Sequence, residues 1–122
     1  MAATNITSLR IYPAPLQTLS YLLMSTTYVN IGTPLPFPAR ILQLQNTTDN
    51  DVLISWDGTN DHQFIPSGGF VLLDVTANKS VAQQAWYVGS KTQLYAKFTA
   101  GSSPASRGAV YLTTFYGLVE GD

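Results

Sequence analysis

The sequence predicts an all-β protein: a jelly-roll-like β-sandwich of about seven to nine short strands, with an extended, proline-rich N-terminal arm. Three observations carry that expectation. Short runs rich in Val, Ile, Leu, Thr, Tyr and Trp recur at intervals of roughly 8–12 residues, and clusters of Gly, Pro, Asn and Asp separate them. The chain has 122 residues and a mass of 13.2 kDa, which suits one small domain. Hydrophobic residues make up 45% of it and there is no cysteine, so stability must come from a single apolar core.

The elements follow in order. Thr4 to Tyr12 can extend as a strand, and Pro13 and Pro15 then interrupt any regular element. Leu16 to Leu19 reads as a short turn or helix. A strand is expected from about Ser20 to Ile31, where Tyr28, Val29 and Ile31 favour β-structure. Pro34, Pro36 and Pro38 alternate, so Thr33 to Pro38 is extended and unsuited to a central strand. Ile41 to Gln45 is a strand and Asn46 to Asp51 a dense turn cluster. Val52 to Trp56 is closed by Asp57-Gly58, a hairpin signal. His62 to Ile65 and Phe70 to Val75 are strands on either side of Pro66 to Gly69. Val81 to Ala85 is ambiguous and could form one helical turn. Trp86 to Val88 and Thr92 to Thr99 are further strands. A Gly/Ser/Pro loop from Ala100 to Gly108 precedes the last strand, Ala109 to Tyr116. The expected organisation is an arm and edge segment at 1–39, a sandwich at 40–117 and a loose tail at 118–122.

Charge narrows the function classes. Charged residues are 11% of the chain, about half the usual share, and the net charge is −1. Six scattered basic residues give no footprint for nucleic acid. No apolar run reaches the roughly 18 residues a membrane span needs. Met1 to Ser8 lacks the pattern of a signal peptide. Met1 to Ala39 carries one charge, Arg10. A near-neutral exterior rich in amides and hydroxyls favours association between copies.

Catalytic chemistry finds little to work with. His62 is the only histidine. Asp61 is its sequence neighbour, and strand alternation would place it on the opposite face, away from the orienting role in a Ser-His-Asp triad. There is no Gly-x-Ser-x-Gly elbow. Asp49 and Asp51 precede the strand Val52 to Trp56, whereas Asp57 and Asp61 follow it. A five-residue strand is roughly 17 Å long, so a carboxylate pair drawn from both loops is too wide for glycoside hydrolysis. Asp57 to Asp61 lacks the spacing and the late Glu of a calcium loop. Ser67-Gly68-Gly69 has no following lysine to make a phosphate cradle, and Asn5-Ile6-Thr7 reads as a chance tripeptide. No cofactor, metal or catalytic residue is expected. The aromatic residues, Trp56 and Trp86 among them, are expected to fill a core and a subunit interface, with an exposed sugar-binding platform as the alternative.

The run Ile41 to Gly58, with its Asn46-Thr47-Thr48 and Ser55-Trp56-Asp57-Gly58, continues through Ile65-Pro66-Ser67-Gly68 and Leu72 to Lys79. Together with Ala109 to Thr113 it resembles small β-rich virion proteins of tailed bacteriophages. The resemblance spans about Arg40 to Tyr116. It implies a capsid decoration (cement) protein, or a minor tail, neck or fibre-associated component, located in the virion and assembled in the host cytoplasm. Its partner would be the major capsid protein or another virion protein, and it would form a homo-oligomer, dimer or trimer. The N-terminal third is where attachment is expected, with Ile6, Leu9, Ile11, Tyr12, Leu35 and Phe37 as the contact residues. A carbohydrate-binding module for host attachment is the alternative from a different class.

Overall fold

The computed structural model describes residues 8–75, 88–101 and 105–120, with strand placement but not side chains for 8–9 and 118–120. The described residues form nine strands and no α-helix. In chain order they are β1 (Ser8–Pro13), β2 (Gln17–Ser20), β3 (Val29–Asn30), β4 (Ile41–Asn46), β5 (Val52–Ser55), β6 (Gln63–Ile65), β7 (Phe70–Asp74), β8 (Tyr95–Phe98) and β9 (Ala109–Glu120). All pair antiparallel, in two sheets ordered β1-β9-β4-β7, with β2 also on β9, and β3-β8-β5-β6. The pairs nest. The first strands bind the last, then β3 binds β8, β4 binds β7 and β5 binds β6. That is the connectivity of one long hairpin rolled onto itself, the jelly roll.

β1 and β2 follow each other along one edge of β9 and act as one bent strand. Pro13 lies opposite Phe115, and Gln17 opposite Leu112. Three residues (14–16) therefore face two (113–114), which is a β-bulge. Pro13 and Pro15 create it, since neither can donate to a ladder and both tolerate an edge strand. Ala14 N–H keeps the connection by donating to the Thr114 carbonyl at 2.9 Å. The extra residue inverts the side-chain alternation between β1 and β2.

The core forms where the two sheets face each other. Leu19, Leu42, Leu44, Val110 and Leu112 come from one sheet, and Val52, Ile54, Ile65, Ala96 and Phe98 from the other. Along β4 and β8 buried and partly exposed residues alternate, as a strand with one inward face requires. Connecting segments add Met24, Ile31, Leu35, Ala39 and Leu94. Among the described residues Phe98 is the only buried aromatic ring, so the expectation that aromatics fill the core is corrected. Branched aliphatics on alternate positions already fill it, which leaves most of the described rings only partly buried.

One buried polar side chain organises a loop end of the sandwich. Asn46 is fully buried at the end of β4. Its Nδ2 donates to the carbonyls of Asn50 (2.8 Å), Ile65 (3.1 Å) and Pro66 (3.2 Å). Its Oδ1 accepts from Thr48 N–H at 3.0 Å and from Thr48 Oγ1 at 2.6 Å. A single amide thus ties the β4–β5 turn to the β6–β7 turn. Gly108 completes this end. Its φ of 93° lies in the left-handed region, and a Cβ there would overlap the Thr47 carbonyl.

Several expected boundaries move. In place of one strand from Ser20 to Ile31, Ser20 ends β2, Tyr21–Leu23 makes a 3₁₀ turn and Val29–Asn30 forms the short β3. Local bonds outcompete a ladder here, because Ser20 Oγ accepts from Leu22 N–H (3.2 Å) and Ser25 Oγ from Thr27 N–H (3.1 Å). The Thr92 to Thr99 strand shortens to β8, since Thr92 and Leu94 give their carbonyls to Leu35 and Ile31 of the connecting loop. The N-terminal third is no separate arm over residues 8–39. It supplies β1, β2 and β3 and five core residues. Residues 118–120 are no loose tail, because they prolong β9 opposite Ser8 to Arg10. Val88 makes a single bridge with Ala39. The Val81 to Ala85 turn, Trp86 and Tyr87 lie outside the described residues.

Asn46→Ala should destabilise the fold by about 2–4 kcal/mol, because the Asn50, Ile65 and Pro66 carbonyls each lose a donor and Thr48 loses its acceptor. Asn46→Asp should be at least as damaging at pH 7, where a carboxylate would face those carbonyls. Its deficit should shrink as pH falls toward about 4 and the acid becomes a donor. Urea denaturation across pH measures both. Gly108→Ala should cost roughly 1–3 kcal/mol in the same assay.

Candidate partner-binding surface

β9 is much longer than its neighbours, and its two halves differ. Ala109 to Thr114 run through the sandwich, with Ala109, Val110, Leu112 and Thr114 buried. β4 accompanies β9 only as far as Phe115. Beyond that point Tyr116 to Glu120 pair with Ser8 to Tyr12 of β1, and among the described residues these two strands form a two-stranded ribbon.

An aromatic stack sits at the root of this ribbon. Tyr12 and Tyr116 are direct cross-strand partners. Their rings stack with centroids 5.7 Å apart and planes 25° apart. Phe37, from the proline segment, stacks on the other side of Tyr116 at 4.1 Å and 19°. The Arg10 guanidinium caps the far end, 5.1 Å from the Tyr12 centroid. By alternation Tyr116 shares its face with Val110, Leu112 and Thr114, so the stack continues the core-bearing face of the sheet. Phe37 keeps 41% of its surface exposed. Offset, near-parallel rings at such distances attract one another and present a stiff apolar surface with little side-chain entropy left to lose on binding.

The sequence-predicted contact residues divide accordingly. Tyr12 and Phe37 come together on either side of Tyr116. Ile11 is exposed on the opposite face of β1, across from Gly117. Leu9 lies in β1 opposite Val119. Ile6 is outside the described residues. Leu35 is corrected: only 1% of its surface is exposed, and it packs in the core. Its N–H donates to Thr92 O (2.9 Å) and its carbonyl accepts from Lys91 N–H (2.7 Å), so the proline segment is pinned and does not swing free. Arg10 and Tyr116 escaped sequence reading. Only knowledge that the first strand pairs with the last would have placed Tyr116 beside Tyr12.

The β5–β6 loop gathers the other polar groups. Asp57 Oδ1 accepts from Thr59 N–H, Asn60 N–H and Ser55 Oγ, each at 2.8 Å, and Oδ2 accepts from Asn60 Nδ2 at 2.7 Å. The Asn60 and Thr59 backbone donors, followed by the Asn60 and Ser55 side chains, hold this carboxyl far below the usual aspartate range. His62 Nδ1 accepts from Trp56 N–H at 2.9 Å, and Nε2 stands 4.0 Å from Asp57 Oδ2. The order Ser55–Asp57–His62 puts the carboxylate between serine and imidazole. A nucleophilic serine needs the imidazole in the middle. Asp61, which strand alternation was expected to turn away from His62, accepts from the Tyr28 hydroxyl and meets Lys97 at 3.4 Å. The Tyr28 hydrogen bond, with help from Lys97, lowers the Asp61 carboxyl. Burial, followed by Asp61, raises the Tyr28 phenol well above its ordinary range. Lys97 lies 4.5 Å over the Tyr28 ring. In the β4–β5 turn Asp49 binds Ser106 N–H (2.9 Å) and Oγ (2.6 Å), and these bonds lower its carboxyl too. Among the described residues no three His, Asp or Glu side chains gather as a metal cluster.

No protein-family model, curated protein or solved structure matches this chain.

The turn carboxylates set the acid behaviour. A lowered folded-state pKa adds stability that is complete above the unfolded value of about 3.8 and is lost as pH falls through the folded value. Stability should therefore decline below pH 3.8. Asp57→Ala should be less stable at pH 7 and show a flatter acid limb. Thermal melts between pH 2 and 7, with a carboxyl NMR titration, check this. Asp57 titrating at or above 3.8 would contradict it.

Proposed function

We propose that this protein is a structural component of a tailed-phage virion, a decoration (cement) protein that binds the outer capsid and clamps neighbouring subunits. The observation that carries the reading is the stack of Arg10, Tyr12, Tyr116 and Phe37 at the root of the β1/β9 ribbon. Stiff aromatic surface flanked by arginine is the composition of binding hot spots. The ribbon joins the first described strand to the last, so one docking event would brace both ends of the rolled chain. In this reading the protein works by binding and not by catalysis.

Self-association would use another feature, the edge strand β7. Asn46 N–H donates to Gly69 O and Val75 N–H to Arg40 O, each at 2.9 Å. These bonds fix the phase of the β4–β7 ladder, so Val71 and Leu73 turn their backbone groups toward β4 and Phe70 and Leu72 turn theirs outward. Phe70 and Leu72 expose 61% and 55% of their surface. A second copy pairing antiparallel about a two-fold axis at Leu72 would exchange N–H···O bonds between the two Leu72 residues and set Phe70 opposite Asp74, keeping like charges apart. Such a pairing would close a two-fold dimer.

A carbohydrate-binding role is the second reading. It is favoured by exposed Trp56 beside the polar loop of Asp57, Asn60 and His62. A glycan array probed with wild type and Trp56→Ala decides it.

Removing residues 2–12 should abolish binding to capsids lacking the protein, while the sandwich keeps a cooperative melt because its core lies in other strands. Phe37→Ala with Tyr116→Ala should weaken binding at least tenfold, about 1.4 kcal/mol or more. Normal incorporation of both variants would refute the decoration reading. Hundreds of copies per particle fit cement, and a dozen or fewer would assign the protein to tail or neck instead. Leu72→Lys should shift sedimentation toward monomer without lowering the melting temperature by more than a few degrees.

A further inference from the structure

Next to the aromatic stack lies an open cleft of about 390 Å³, lined by Pro38, Arg40, Gly89, Ser90 and Gly117. Arg40 precedes the Ile41–Phe115 pair, so the register sets it beside Tyr116 on the same face, and the cleft adjoins the stack. Arg40 stands at the start of β4, its backbone fixed by bonds to Phe115 O (2.7 Å) and from Val75 N–H (2.9 Å). Its side chain is not satisfied in the same way. Arg40 Nε is buried and has no hydrogen-bond acceptor among the described residues. The ion pairs of the described residues join His62 to Asp57 and Lys97 to Asp61, leaving Arg40 out. A buried donor without an acceptor is costly.

We propose that this cleft is a carboxylate site: Arg40 receives an Asp or Glu side chain of the protein partner through the Nε–H and Nη–H edge of its guanidinium. The planar two-donor edge matches a carboxylate, and the fit satisfies the buried donor. The cleft volume lies within the range of small-ligand sites and accommodates one such side chain. Because the stack adjoins it, the recognised segment carries an apolar or aromatic residue beside its acid. A phosphate backbone is the poorer occupant, since a chain of net charge −1 with six scattered basic residues would repel nucleic acid more than it attracts it. The inference rests on the reading of the stack as a docking surface and names the chemistry of what docks there.

The full 122-residue protein can be titrated with N-acetyl-Phe-Glu-amide, N-acetyl-Phe-Gln-amide and inorganic phosphate while the Arg40 Nε–Hε NMR signal is followed. The Glu peptide should move that signal saturably, and the Gln peptide should bind roughly tenfold more weakly, the loss expected for one charge-assisted bond. Arg40→Lys keeps the charge but lacks Nε–H, and should lose about as much while its backbone amide spectrum stays dispersed. Equal affinity for both peptides, an unmoved Nε–Hε signal, tighter binding of phosphate, or full affinity in Arg40→Lys would each overturn the site. Capsid binding is scored separately. Wild type that binds the Glu peptide but no capsid supports the site and removes the decoration reading. Capsid binding that persists in Arg40→Lys, with no peptide response in wild type, removes the site and leaves that reading standing.

Discussion

The ladder along β9 is the interaction on which the rest of the molecule depends. It binds β4 on one edge and the bent β1/β2 strand on the other, so it joins residues about a hundred positions apart, such as Tyr12 and Tyr116. Closing so long a loop is entropically unfavourable and slow, and the gain must come from contacts made at closure. Here those contacts are of two kinds. The first half of β9 buries Val110 and Leu112 against the opposite sheet. The second half binds β1 alone and carries the Tyr12–Tyr116 stack. The bulge at residues 14–16 lets one strand serve both. By inverting the alternation it puts Leu19 of β2 in the core and Tyr12 of β1 on the same face further along. The prolines that seemed to break the strand are what allow it to change phase.

The polar groups answer to the same economy. With 11% charged residues, the chain spends several of its acids inside turns rather than on solvation. Asp57 and Asp49 accept backbone N–H groups that the turns would otherwise leave unmade, and Asn46 supplies donors to carbonyls that converge at one end. These side chains replace the stapling that cysteines would give. Asn46-Thr47-Thr48 and Ser55 to Gly58 are each a turn whose side chains bond its own backbone.

Sequence reading recovered the parts of this fold that local physics determines. Alternation in Ile41 to Gln45 and Ala109 to Tyr116, and the turn clusters between strands, gave the all-β class, the sandwich and most of β4 to β9. It went astray where long-range pairing decides the outcome. Gly117 to Glu120 has no local reason to be ordered and is held by Ser8 to Ile11. Leu35 looks like an exposed residue between prolines, yet its backbone is caught by Lys91 and Thr92 and its side chain reaches the core. The candidate surface was half legible for the same reason. Tyr12 and Phe37 stand out as aromatics in a stretch whose single charge is Arg10. Tyr116 and Arg40 acquire their meaning only from what the rolled topology sets beside them.

The four open positions of a jelly roll make the surface chemistry consequential. Two of its edge strands, β3 and β6, are two and three residues long, too short to template another chain effectively. A third edge is the bent β1/β2 strand, whose prolines lack the N–H a neighbour would need. Among the described residues β7 has neither protection. It is five residues, Phe-Val-Leu-Leu-Asp, with four of them exposed and no lysine or proline among them. An edge of that composition in a chain of net charge −1 would associate unselectively at high concentration unless something pairs it in a defined register. The chain guards three edges and leaves the fourth apolar, while it concentrates aromatic rings and arginine at the ribbon. A protein that functions alone would have reason to guard all four. One that finishes its surface against copies of itself or a larger shell has reason to keep β7 as it is.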